Sequence, residues 1–165
     1  MRWSLKIGRF AGIDVYVHAT FFLLILWVIA LHSLQGRNPQ AVISGVAFIL
    51  ALFACVVAHE FGHALTARHY GISTKDITLL PIGGVSRFER MPDKPWQEFW
   101  VAIAGPLVSV AIAVAIYLLL FLMGGFQPLT GLSITGGPFL ERILVANFAL
   151  AIFNLIPAFP MAFWL

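Results

Sequence analysis

The sequence predicts an all-α, multi-pass membrane protein of about four transmembrane helices, with a short β-hairpin or re-entrant loop between the second and the third. Three observations carry this. Of 165 residues, 61% are hydrophobic and only 10% are charged, against about a quarter charged in an ordinary soluble domain. Four apolar stretches, at 17–34, 42–66, 99–123 and 139–160, match the roughly 20 residues that cross a bilayer. The 72–90 segment, ISTKDITLLPIGGVSRFER, breaks the helical pattern with strand-like runs around Pro81 and the Gly83–Gly84 pair.

The first stretch follows a leader carrying Arg2, Lys6 and Arg9. It is longer than a signal-peptide core and no small-x-small cleavage site follows it, so it reads as an uncleaved span. Within the leader, KIGRFAGIDVYVH alternates in the manner of a strand. The second stretch ends in HEFGHALTARHYG. DITLL and VSRFE then flank the proline and glycines as two short strands. MPDKPWQEF is a polar lead-in to the third stretch, an ordinary surface loop. AGPLVS within the third brings small residues together for close helix packing. The fourth ends in FNLIPAFPM, where Pro157 and Pro160 should break or kink the helix. No internal repeat appears, and the whole chain reads as one membrane-embedded domain, 1–165.

Basic residues orient the chain. Arg2, Lys6 and Arg9 precede the first span, and Arg68, Lys75, Arg87, Arg90 and Lys94 lie between the second and third. Four crossings put both groups on one side, which is then cytoplasmic, in a cell inner membrane. Trp3, Trp96, Trp100 and Trp164 flank the spans as interfacial anchors. The net charge of +3 comes without basic clusters among aromatics, so no nucleic acid partner is expected. The single cysteine, Cys55, excludes an intramolecular disulfide and reads as a small core residue. His18, His32 and His69 lie at span ends, where interfacial polar residues belong.

His59, Glu60 and His63 do not fit that pattern, because ionisable side chains are expensive in hydrocarbon. Two histidines four apart project from one helix face and can share a Zn²⁺ ion. Zinc lowers the pKa of water toward about 7, and a neighbouring glutamate can act as general base on it. The residues therefore suit peptide-bond hydrolysis. A His–Glu proton relay or a buried hydrogen-bonded cluster uses the same residues. So does a haem-binding or transport protein, although Glu60 has no clear task there.

HEFGH in the second span, GGVSRF in the following loop, AGPLVS in the third span and NLIPAFPM in the fourth occur in that order. With them the chain resembles the site-2 protease family of intramembrane zinc metalloproteases, from about residue 5 onward. The resemblance implies a zinc cofactor, with His59 and His63 as ligands and Glu60 as catalytic base. It implies that Asn154 holds the substrate or the developing oxyanion. It implies that Gly83, Gly84 and Val85 present an edge to an extended substrate, a transmembrane protein unwound within the lipid bilayer. The family motif continues N-x-x-P-x-x-P-x-D-G, and its Asp is the third zinc ligand. Ala162 stands at that position, and Ser109 stands where an Asn is common. The chain thus looks like an amino-terminal portion of such an enzyme, apparently truncated. It is expected to bind zinc weakly and cleave poorly, or to act as a catalytically dead relative that binds membrane partners.

Overall fold

The computed structural model describes residues 3–81, 83–90, 92, 94–123 and 138–163, with side chains described as far as residue 155 in the last helix. Two strands open the chain, β1 (Ser4–Phe10) and β2 (Ile13–His18). They pair antiparallel around a tight turn in which Ala11 and Gly12 take φ of 49° and 84°. His18 then caps helix α1 (Ala19–Leu34), its side chain accepting from the Thr20 amide. Asn38 caps helix α2 (Pro39–His69) by accepting from the Ala41 amide at 2.9 Å, with Pro39 at the first helical position.

After α2 the chain forms β3 (Thr74–Leu80) and β4 (Gly83–Phe88), an antiparallel hairpin. β3 adds to β2 in parallel, so the four strands make one sheet in the order β1-β2-β3-β4. Helix α3 (Pro95–Leu122) and helix α4 (Phe139–Phe163) follow.

The sheet lies on the helices through an apolar face. Alternate residues Ile13, Val15 and Val17 of β2, with Ile77 and Leu79 of β3, pack against Phe21, Phe53, Val56 and Ala64. The helices meet one another closely. At Gly62 of α2 a Cβ would lie 2.8 Å from the Ala104 carbonyl and 2.9 Å from Val108 Cγ2 of α3. Only a residue without a side chain permits that approach.

The outward faces are apolar. Leu23, Leu26, Trp27, Leu118, Phe121 and Phe153 all lie exposed. Such a surface is inverted relative to a soluble protein and suits a lipid surrounding. Among the described residues, α2 and α3 are long and apolar enough to cross a membrane, whereas α1 is a shorter apolar helix.

Three expectations change. The chain is not all-α: the hairpin between the second and third apolar stretches is present, but it is half of a four-stranded sheet. The leader supplies the other half, through the alternation its sequence carried. The first helix begins at Ala19 and has 16 residues, because 17 and 18 belong to β2. The helix is not broken at Pro157 and Pro160, since α4 runs on to Phe163. Pro106 is likewise inside α3. Pro106 is buried among packed helices, where neighbouring groups can satisfy the backbone that a proline frees.

Gly62→Ala should force α2 and α3 apart. We expect a loss of about 1–3 kcal/mol, seen as a lower unfolding temperature in detergent.

Candidate metal centre and active site

The end of α2 nearest the sheet carries His59, Glu60 and His63. His59 and Glu60 are almost fully buried, at 1% and 8% exposure. Their rings and carboxylate face inward, toward α3 and β4, rather than toward the apolar exterior. The two imidazoles meet nitrogen to nitrogen, with Nε2 of His63 3.1 Å from Nε2 of His59.

Helix α3 backs both rings. His63 Nδ1–H donates to the Val101 carbonyl at 2.7 Å. A carbonyl can only accept, so this bond puts the proton on Nδ1 and turns the Nε2 lone pair toward His59 as an acceptor. His59 Nδ1 meets the Ser109 hydroxyl at 2.8 Å, and Ser109 is wholly buried. Between these two positions lies Gly105, where a Cβ would run into the His63 imidazole. One face of α3 thus presents a carbonyl, an open space and a hydroxyl on three successive turns.

This arrangement fits zinc. Ligand nitrogens about 2.0–2.1 Å from a tetrahedral ion stand about 3.3 Å apart, close to the observed separation. Each ring donates or can donate through Nδ1 to an outer partner, the usual way a ligating histidine is oriented. Two nitrogens are an incomplete set, and among the described residues no group of three His, Cys, Asp or Glu converges. Ala162 lies in the part of α4 whose side chains are not described.

Glu60 faces β4. Its Oε2 accepts from the Ser86 hydroxyl at 2.6 Å. Gly84 provides the space beside it: a Cβ there would approach Glu60 Cδ to 2.8 Å. A cavity of about 260 Å³ opens in front of the group, lined by Glu60, His63, Ser86, Phe88, Glu98 and Val101 among others.

The remaining sequence-derived residues separate. Gly83, Gly84 and Val85 begin β4, the terminal strand of the sheet, and Val85 is exposed. Asn154 is half-buried on α4, its amide nitrogen donating back to the Leu150 carbonyl at 2.8 Å. Cys55 is half-buried, and among the described residues no metal-ligand group includes it. Ser86 carries little functional signal in the sequence, and Ser109 reads there as part of a helix-packing motif. Their signal was faint, since a serine after GGV or in AGPLVS carries no spacing rule that points at a histidine or a glutamate. Glu98, on the cavity wall, was hidden in the lead-in to α3.

Ser109→Ala removes the outer partner of His59 and should weaken zinc binding about 10- to 100-fold. Titration with a competing chelator measures this, and Ser109→Asn should recover part of the loss.

Comparison with known proteins agrees with this geometry. Residues 47–136 match the model of Peptidase family M50. The chain is 37% identical over 161 residues to a zinc metalloprotease of Methanocaldococcus jannaschii, covering 98% of this chain and 43% of that protein. It is 29% identical over 137 residues to Stage IV sporulation protein FB of Bacillus subtilis, covering 82% of this chain and 42% of the other. Its fold superposes on a site-2 protease from Methanocaldococcus jannaschii with a TM-score of 0.71 and 34% identity, covering 98% of this chain and 68% of that one. The chain therefore spans less than half the length of these two curated relatives. With paired histidines and a glutamate on one buried helix face, and a family match across the helices that hold them, the chain belongs to peptidase family M50.

Proposed function

We propose that this chain carries the zinc-binding core of a metalloendopeptidase that cuts transmembrane protein substrates within the bilayer. The observation that carries the reading is the 3.1 Å approach of the two Nε2 atoms beside a buried glutamate. The exposed apolar faces of the helices support a lipid surrounding. The distribution of basic residues supports four spans in a cell inner membrane, with the amino terminus and the site on the cytoplasmic side.

In this reading His59 and His63 hold zinc, which supplies Lewis acidity that makes water nucleophilic near neutral pH. Glu60 takes the proton of the attacking water at its carboxylate and delivers it to the leaving amine nitrogen. The buried setting of Glu60 strengthens each electrostatic contact it makes. A peptide bond inside a helix is shielded by its own hydrogen bonds, so the substrate must unwind. The edge of β4 that no described strand pairs, beginning at Gly83, Gly84 and Val85, offers an extended segment the backbone partners it loses. The cavity beside Glu60 and His63 receives a substrate side chain near the cut. Asn154 holds the substrate or the developing oxyanion once its amide turns from the Leu150 carbonyl.

Ala162 favours a second reading, a catalytically silent relative that binds membrane segments. A methyl group cannot replace the carboxylate that the family places there. Ala162→Asp should raise zinc affinity at least about tenfold, measured by metal analysis of the detergent-solubilised protein. In that background Glu60→Gln should retain zinc and abolish cleavage of a model transmembrane substrate, a loss of at least about 100-fold. Cleavage that survives Glu60→Gln, or a protein that binds no zinc with the carboxylate restored, refutes the enzymatic reading.

A further inference from the structure

We propose that Ser86 is a positioning residue that fastens the Glu60 carboxylate to the strand on which substrate docks. This rests on the reading of Glu60 as the base and of β4 as the docking edge. It adds a residue outside that machinery and a reason for the neighbouring glycine.

Two independent features of β4 act on Glu60. The Ser86 hydroxyl donates to Oε2 at 2.6 Å. At Gly84, two residues earlier and on the same face of the strand, the missing side chain leaves room for the carboxylate, with Oε1 only 2.9 Å from where a Cβ would stand. The carboxylate therefore lies along β4, with Oε2 held by a hydroxyl and Oε1 over a bare backbone. One oxygen is committed to the strand, and the other remains for proton transfer.

The strand is itself held. Arg87 Nε donates to Asp76 Oδ1 at 2.8 Å, and its Nη2 donates to Oδ2 of the same carboxylate. Asp76 is buried on β3 and sits opposite Arg87 in the register. This two-bond pair has fixed geometry, so β4 is anchored through Arg87 on one face while Ser86 reaches Glu60 from the other. Adjacent residues of a strand point to opposite faces. The outer edge of β4, terminal among the described strands, lies between them. A segment that pairs with this edge is thereby set in register with Glu60 Oε1 through one short piece of backbone.

The consequence is that Ser86 governs orientation rather than binding. Ser86→Ala should leave zinc affinity and KM within about twofold of the parent and lower kcat about 10- to 100-fold, as expected for losing one hydrogen bond to a charged group. Ser86→Thr keeps the hydroxyl and should restore most of kcat. These rates are measured in the Ala162→Asp background on a model transmembrane substrate. A second measurement needs no turnover: isotope-edited infrared spectra of carboxyl-labelled glutamate, with Glu60→Gln subtracted, read the Glu60 carboxylate directly in the unaltered chain. Its stretching band should shift in Ser86→Ala and return in Ser86→Thr. A band that does not move overturns the proposal, as does a loss carried by KM or one that Ser86→Thr shares. A band that moves as expected in a protein that never cleaves upholds the role of Ser86 and refutes the proteolytic reading instead.

Discussion

The close approach of α2 and α3 governs this molecule. Glycine at 62 lets α3 come within contact of α2, and that proximity lets one helix supply what the other needs. Imidazoles and a carboxylate facing hydrocarbon would lose their hydration without return. With α3 against them, His63 finds a carbonyl and His59 a hydroxyl, while Gly105 leaves space for a ring. The polar cluster is therefore satisfied from within the protein. The same contact turns the two Nε2 atoms toward each other, so the packing that stabilises the cluster also sets the pose in which two imidazoles can share a cation.

The sheet completes the enclosure. Its inner face is aliphatic over β2 and β3 and becomes small and polar over β4, where Gly84 and Ser86 meet Glu60. Its outer face carries charge in pairs: Lys6 with Asp14 at 2.7 Å, and Arg87 with Asp76. Charges on that side point away from the bundle, as expected at a membrane boundary. The hairpin is thus amphipathic in the ordinary β sense, with period 2, although it serves a bundle whose helices are apolar nearly all round.

Much of this was legible because the strongest signals are local. HEFGH carries its own helical spacing, so one face holding two histidines follows from the sequence alone. Hydrophobic length announces helices, and the Pro81, Gly83 and Gly84 cluster announces a turn. What escaped is long-range or conditional. The pairing of β2 with β3 joins segments separated by two helices, and alternation within either segment does not name its partner. Ser86 and Ser109 matter only through residues far away in the chain. The prolines of α4 lie within a continuous helix rather than at a break, because the rule drawn from helices in water overstates the cost of a missing N–H in apolar surroundings.

The parallel junction of β2 with β3 has a consequence for how the protein is made. β1 and β2 can zip together as soon as both leave the ribosome, since one tight turn links them. The next rung of the ladder cannot form until α1 and α2 have been synthesised in full, and loop closure over such a distance is slow. β4 arrives later still, and with it the hydroxyl that tethers Glu60. The surroundings of Glu60 are therefore completed only after the helix that carries it has been made.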